Sequence, residues 1–206
     1  MPIDHLTLDD ILDARAYERA REDFRARVMA RKRLRRVGLG GIMTVVFESV
    51  DTVRFQIQEM ARVEKIQTDE GIQAELDVYN RLLPASGELS ATLFIELTSD
   101  AELRHWLPRL VGIERTIAVA LADGSAVASV PEASHAEALT RETVTPAVHY
   151  LRFRFSAAEV AAFAAGPVAL VVAHPAYEAR TELSAATQDE LLADLEGRTE
   201  PLPIGQ

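Results

Sequence analysis

Alternation of apolar and polar positions is clearest over residues 88–97. There Leu89, Ala91, Leu93, Ile95 and Leu97 share one side, while Glu88, Ser90, Thr92 and Glu96 share the other with Phe94. A period of two puts successive side chains on opposite faces, so a β-strand is predicted over 88–97. Runs rich in branched and aromatic residues predict further strands at 42–48, 116–121, 125–130, 148–155 and 167–173, with another at 177–183. Asp123-Gly124 lies between two of these runs and signals a hairpin turn. Helical spacing appears elsewhere. Tyr17, Phe24, Val28 and Leu34 predict a helix over 14–35 that Gly38, Gly40 and Gly41 bring to a stop. Ile72, Leu76, Tyr79 and Leu83 form a single apolar face over 69–83, and further helices are predicted at 51–67, 100–107, 156–165 and 184–195. Thr7-Leu8-Asp9-Asp10 has the form of a capped first turn.

Strands that follow one another through tight turns, with helices between and around them, predict an α+β fold. The expected architecture is a single domain with a mainly antiparallel sheet, flanking helices and a helical N-terminal arm. The arm spans 1–37 and packs on the same domain, the α+β core spans 38–196, and 197–206 is expected to be a flexible tail.

The chain has 206 residues and no cysteine, which excludes disulfides, thiol catalysis and thiolate-held metal centres. Its longest apolar runs, 168–173 among them, are far short of the roughly 20 residues of a membrane span, so no membrane partner is expected. The first residues carry neither a basic region nor an apolar one, so the protein is expected in the cytoplasm. The net charge is −10, yet residues 1–36 hold 10 basic and 7 acidic side chains. Within them Arg25, Arg27, Arg31, Lys32, Arg33, Arg35 and Arg36 follow one another with no acid between. Such a run can bind phosphates. The acidic balance and the absence of interleaved aromatics favour a solvated helix face, and nucleic-acid binding is the weakest of the readings.

No phosphate-binding loop, nucleophile elbow or zinc-protease motif is present. The helix at 51–67 carries the strongest candidates. Val53, Ile57 and Met60 lie on one face, and Phe55, Glu59, Arg62 and Ile66 on the opposite one. A helix apolar on two sides is either enclosed or offers its second side to a partner. Glu59 and Arg62, three residues apart, are spaced to pair, and Gln58 adds a polar group. The polar side of strand 88–97 forms a row of oxygen acceptors, Glu88, Ser90 and Thr92, towards which Glu59 or Glu75 can project; its plainer reading is a solvated sheet face. His149 points to the apolar side of its strand and His174 ends another. With a carboxylate from Glu59, Glu75 or Glu88 they have the composition of a two-histidine, one-carboxylate metal site. Glu102-x-x-His105 and Glu132-x-x-His135 share the spacing of di-iron bundles, but hairpin strands separate them and the four-helix setting is missing.

Several stretches resemble the bacterial family called domain of unknown function 3501. They are Arg36-Val37-Gly38-Leu39-Gly40, Phe47-Glu48, Gln56-Ile57-Gln58-Glu59-Met60-x-Arg62-x-Glu64, and Glu75-Leu76-x-x-Tyr79-Asn80. Gly87-Glu88-Leu89-Ser90-Ala91-Thr92-Leu93, Val148-His149-Tyr150-Leu151-Arg152-Phe153 and His174-Pro175-x-Tyr177 complete the set. The resemblance carries over no established activity, and it leaves the cofactor open. It does imply a gene neighbourhood shared with rubrerythrin and with a heterodisulfide-reductase-like iron–sulfur protein. The leading expectation is therefore an accessory or binding protein working with an iron or iron–sulfur redox protein. Its ligand- or partner-binding residues would be Phe55, Gln58, Glu59, Arg62, Glu75, Glu88, Ser90 and Thr92. The alternative is a metal-dependent enzyme or metal-binding protein using His149, His174 and Glu59.

Overall fold

A computed structural model describes residues 5–132 and 143–204. The arm begins with a one-turn 3-10 segment, Leu8–Asp10, closed by the Asp10 carboxylate accepting from the Thr7 N–H and hydroxyl. Helix α1, Ala14–Arg35, starts where Asp13 accepts from the free N–H groups of Arg15 and Ala16. It runs directly into strand β1, Arg36–Leu39, which pairs antiparallel with β2, Met43–Phe47. Gly38, expected to lie beyond a helix stop, is thus a strand residue opposite Thr44. The turn between the strands needs Gly40. Its φ is +71°, and an added Cβ would stand 2.1 Å from the Tyr177 hydroxyl oxygen.

Helices α2, Val50–Glu64, and α3, Asp69–Tyr79, follow, and then β3, Glu88–Ile95. Helix α4, Asp100–Trp106, leads to the short strands β4, Ile117–Ala120, β5, Ala126–Ala128, and β6, Val130–Pro131. Strand β7, Val148–Arg154, α5, Ala157–Ala165, β8, Ala169–His174, β9, Tyr177–Glu182, and α6, Ala185–Leu195, complete the order. Two antiparallel sheets result, β1-β2-β3-β7-β6 and β5-β4-β8-β9. The fold is a single α+β domain, and no described helix is long and apolar enough to cross a membrane.

The main core lies between the sheets. Val45, Leu89, Leu93, Leu151 and Phe153 of the first sheet join Val119, Leu170 and Val172 of the second, with Leu191 and Leu195 of α6. On the other face of the first sheet α2 and α3 pack through Val53, Ile57 and Leu76. Helix α1 covers α2 in turn, with Tyr17, Phe24 and Val28 against Phe55. This stacking corrects the expectation of a solvated face on β3. Ser90 and Thr92 are buried, and the Thr92 hydroxyl donates to Glu48 Oε1 at 2.6 Å. An antiparallel sheet is wetted on one face only when nothing covers it, and here helices do.

The chain after α6 packs back on the helices as far as residue 204, and residues 205–206 of the expected tail lie outside the described residues. Residues 197–204 lie along α1 and α2, with Leu202 and Ile204 against the Tyr17–Phe24–Phe55 cluster. Arg27, Arg31 and Arg54 donate to the carbonyls of Pro203, Glu200 and Leu202, and the Leu202 N–H donates to Asp51. Four hydrogen bonds thus tie this stretch of backbone to the two helices.

Candidate functional site

The two apolar sides of α2 are both occupied. Val53 and Ile57 face Leu76 of α3, while Phe55 meets Phe24 of α1 with ring centroids 6.1 Å apart. Phe55 is therefore a core residue, and the possibility that it faces a partner is corrected: α1 is what covers it.

Glu59 does not pair with Arg62. Its carboxylate is held by Arg21, Nε to Oε1 at 2.7 Å and Nη2 to Oε2 at 2.8 Å, and accepts from the Tyr17 hydroxyl at 2.8 Å. Arg62 reaches Glu18 on α1 at 2.8 Å. Both residues of α2 thus pair with the helix packed above it, because the i, i+3 route is a weak exposed contact and a forked guanidinium–carboxylate pair is not. The Arg21 hydrogen bond leads in drawing the Glu59 carboxyl below its ordinary value, with help from Tyr17. Burial, then Glu59, pushes the Tyr17 phenol well above its usual range.

This geometry carries a pH prediction. The Glu59 value is lower in the folded chain than in the unfolded one, so its contribution to stability is complete above the ordinary value of 4.5 and lost as pH falls through the folded value. In urea titrations Glu59→Gln is expected to be less stable than the parent at pH 7, with the gap closing as pH falls below 4.5 and through the folded value. A gap independent of pH would mean that lost packing, and not charge, is what the substitution removes.

Beside this pair lies an open groove of about 890 Å³ between the arm, the end of α2 and the start of α3. Its apolar lining includes Leu8, Ile11, Ile66 and Ile72, and Arg62 stands on its rim. Lys65 closes α2 in the left-handed region at φ 57°, turning the chain into α3, and Gly71 lets Ile66 approach, since a Cβ there would meet Ile66 Cγ2 at 2.4 Å. Val63, 66% exposed, also lines the groove. Gln58 reaches the groove as well, but its amide is engaged by the backbone of Leu12.

The other predicted residues are dispersed. Glu75 sits on α3, where burial and then the nearby Glu64 raise its carboxyl. Glu88 is clasped by Arg152 at 2.8 Å and Arg154 at 2.7 Å; burial alone would raise its carboxyl, yet these guanidinium bonds hold it below the ordinary value. His149 lies 3.1 Å from the Thr145 hydroxyl and 3.9 Å from Glu114. His174 has Val111 O at 3.1 Å from Nε2, and its Nδ1 accepts from the Ala176 N–H at 3.2 Å. The imagined metal triad is not assembled: Glu59 is locked between α1 and α2, and among the described residues no three His, Asp or Glu side chains are grouped to hold a metal. Glu102 caps α4 through Ser99, and His135 of the second Glu-x-x-His match lies outside the described residues.

Periodicity could not reveal where the basic run points. Arg35 is fully buried between Glu190 and Asp194, and Arg31 bridges Asp51 and Glu190. The structural roles of Glu48, Asp51 and Asn80 were also missed. Only the placement of Glu48 and Asn80 in the family-like stretches hinted at them.

Residues 5–195 match the profile of a family described as protein of unknown function, DUF3501. No curated protein matches the chain. The crystal structure at 1.90 Å of a protein of unknown function from Burkholderia pseudomallei K96243 is similar, with 37% identity and a TM-score of 0.83, over 92% of this chain and 98% of that one.

Proposed function

The chain belongs to the DUF3501 family of proteins of unknown function, and within it we propose that it serves as a binding protein whose groove at the α2–α3 turn takes an apolar segment of a partner protein. The observation that carries this is Val63, two-thirds exposed on a groove with aliphatic walls. An exposed aliphatic cluster rimmed by polar groups is the ordinary signature of a protein contact. The candidate acids argue the same way: Glu59 and Glu88 are each tied to guanidinium groups, which leaves them structural rather than reactive.

The finer part of the proposal is an iron or iron–sulfur redox protein as partner. It is supported by the family resemblance alone. Titration calorimetry with purified rubrerythrin and with the heterodisulfide-reductase-like protein tests it. The expected result is binding by one of them that weakens at least about tenfold in Val63→Glu, a change of roughly 1.4 kcal/mol. Val63→Glu is expected to leave folding stability within about 0.5 kcal/mol, as for other exposed positions. Absence of binding to both proteins sinks the iron-partner reading.

The metal-binding alternative gives a different result in elemental mass spectrometry of the untagged protein. About one iron, manganese or zinc per chain, lost in a His149→Ala, His174→Ala double variant, would establish it. The binding reading expects purified chains with far less than one equivalent.

A further inference from the structure

The N-terminal arm is held to the body by a device that reads main chain. Asn80, just after α3, accepts the Leu6 N–H on Oδ1 at 2.8 Å and donates from Nδ2 to the Leu6 carbonyl at 2.9 Å. Gln58, on α2, does the same to Leu12, with both contacts at 3.1 Å. Each amide thus bonds to the N–H and the C=O of one residue, as a neighbouring strand does in an antiparallel pair. Between the clamps the turn at Thr7–Asp10 bonds to itself, and residues 7–9 are exposed.

Side-chain identity is read at the first clamp. Leu6 is fully buried in a pocket made by Val53, Ile57, Leu76, Leu82 and Leu83. Gln58 is 2% exposed, and among the described residues its amide is satisfied by Leu12 alone. With the arm away this amide meets water, so a segment that replaces the arm exchanges water contacts for two main-chain hydrogen bonds.

We propose that the α2–α3 surface is a peptide-binding site occupied in cis by the chain's own arm. In trans it takes a partner segment of the same pattern: a leucine-sized aliphatic residue, one turn, and a free backbone N–H and C=O six residues on. Main-chain hydrogen bonds supply attachment, and the aliphatic pocket supplies selectivity, the division of labour seen where peptides bind by strand-like pairing. The tethered arm competes at an effective concentration on the millimolar scale, so the site is masked in the resting chain. This inference rests on the reading of the protein as a binder of protein segments. It differs in requiring residues 5–13 to leave, whereas the groove beside Val63 is walled in part by those residues and needs them seated.

The test uses the full chain and a fluorescent synthetic peptide with the sequence of residues 5–13. In Leu6→Asp the chain's own arm cannot seat, so the peptide is expected to bind this variant at least about tenfold more tightly than the parent. Adding Asn80→Ala to Leu6→Asp is expected to weaken peptide binding about tenfold again. No binding to a cooperatively melting Leu6→Asp chain overturns the proposal, as does binding indifferent to Asn80→Ala. Should Leu6→Asp not fold, hydrogen exchange on the parent decides. The Leu6 and Leu12 amides should exchange through an opening at least about a hundredfold more frequent than that of the Ile57 amide. Exchange of all three only on global unfolding overturns it. Failure here leaves the Val63 titration unaffected, so the two readings fail separately.

Discussion

Arg35→Ala is expected to lower the unfolding free energy by about 3–5 kcal/mol and the Tm by roughly 10 °C. Arg35 is fully buried at the end of α1. Its guanidinium meets Asp194 in a fork, Nη1 to Oδ2 at 2.6 Å and Nη2 to Oδ1 at 2.9 Å, while Nε donates to Glu190 at 2.9 Å and Nη1 to the Glu48 carbonyl at 3.2 Å. Burial alone would make this cation easier to deprotonate, but Asp194 and Glu190 outweigh it and strengthen its hold on the proton. Alanine removes the cation and leaves the Asp194 carboxylate, whose side chain is 6% exposed, without its main partner. The penalty is that of a stranded buried charge, larger than the net worth of the pair. Urea unfolding of Arg35→Ala, Asp194→Asn and the double variant checks this. The double variant should be more stable than the sum of the single losses predicts, with a coupling of about 1–3 kcal/mol. Additive losses would show that the pair is not what holds α6 to α1.

Asp51→Ala is the second large effect, expected at about 3 kcal/mol together with release of the C-terminal strap. Asp51 is 1% exposed and accepts from Arg31, from Arg54 at 3.1 Å and from the Leu202 N–H at 2.9 Å. Arg54 is itself buried, lies 5.2 Å above the centroid of the Phe24 ring, and has an Nε atom with no hydrogen-bond partner among the described residues. Burial draws its guanidinium below the ordinary value against the pull of Asp51. Without that carboxylate the cation keeps the ring, the Leu202 carbonyl and the attraction of Asp10, and the strap loses the acceptor that fixes Leu202. Limited proteolysis should cut within 197–204 in Asp51→Ala under conditions that leave the parent intact. In Asp51→Asn, which keeps an acceptor for the Leu202 N–H, cleavage should be intermediate. Equal resistance in all three chains would place the strap's attachment in its carbonyl contacts and in Leu202 packing.

Local chemistry made much of this fold legible. Helix α1 occupies 14–35 as its spacing and flanking residues indicate, and β3 carries the alternation seen over 88–97. The hairpin between β4 and β5 turns at Gly124, with φ +87°. Strand β1 escaped notice because four residues containing a glycine, placed directly after a helix, show no period of their own; pairing with β2 is what makes them a strand. In the candidate site, α2 was recognisable as apolar on two sides, but the identity of what covers each side was not. The Glu59–Arg62 spacing suggested a pair that α1 divides, giving each residue a partner about forty positions away.

The sequence by itself determined where most helices and strands run, the absence of thiol chemistry, and the family, because periodicity, turn residues and composition act over short stretches of chain. Only the tertiary structure decided that Arg35 reaches Glu190 and Asp194 across more than 150 residues, that Gln58 and Asn80 hold the arm's backbone, and that residues 197–204 form a strap. A pattern of polar positions shows which side chains must find partners. Which partners they find depends on how separately formed elements dock, and that is set by shape and burial across the whole chain.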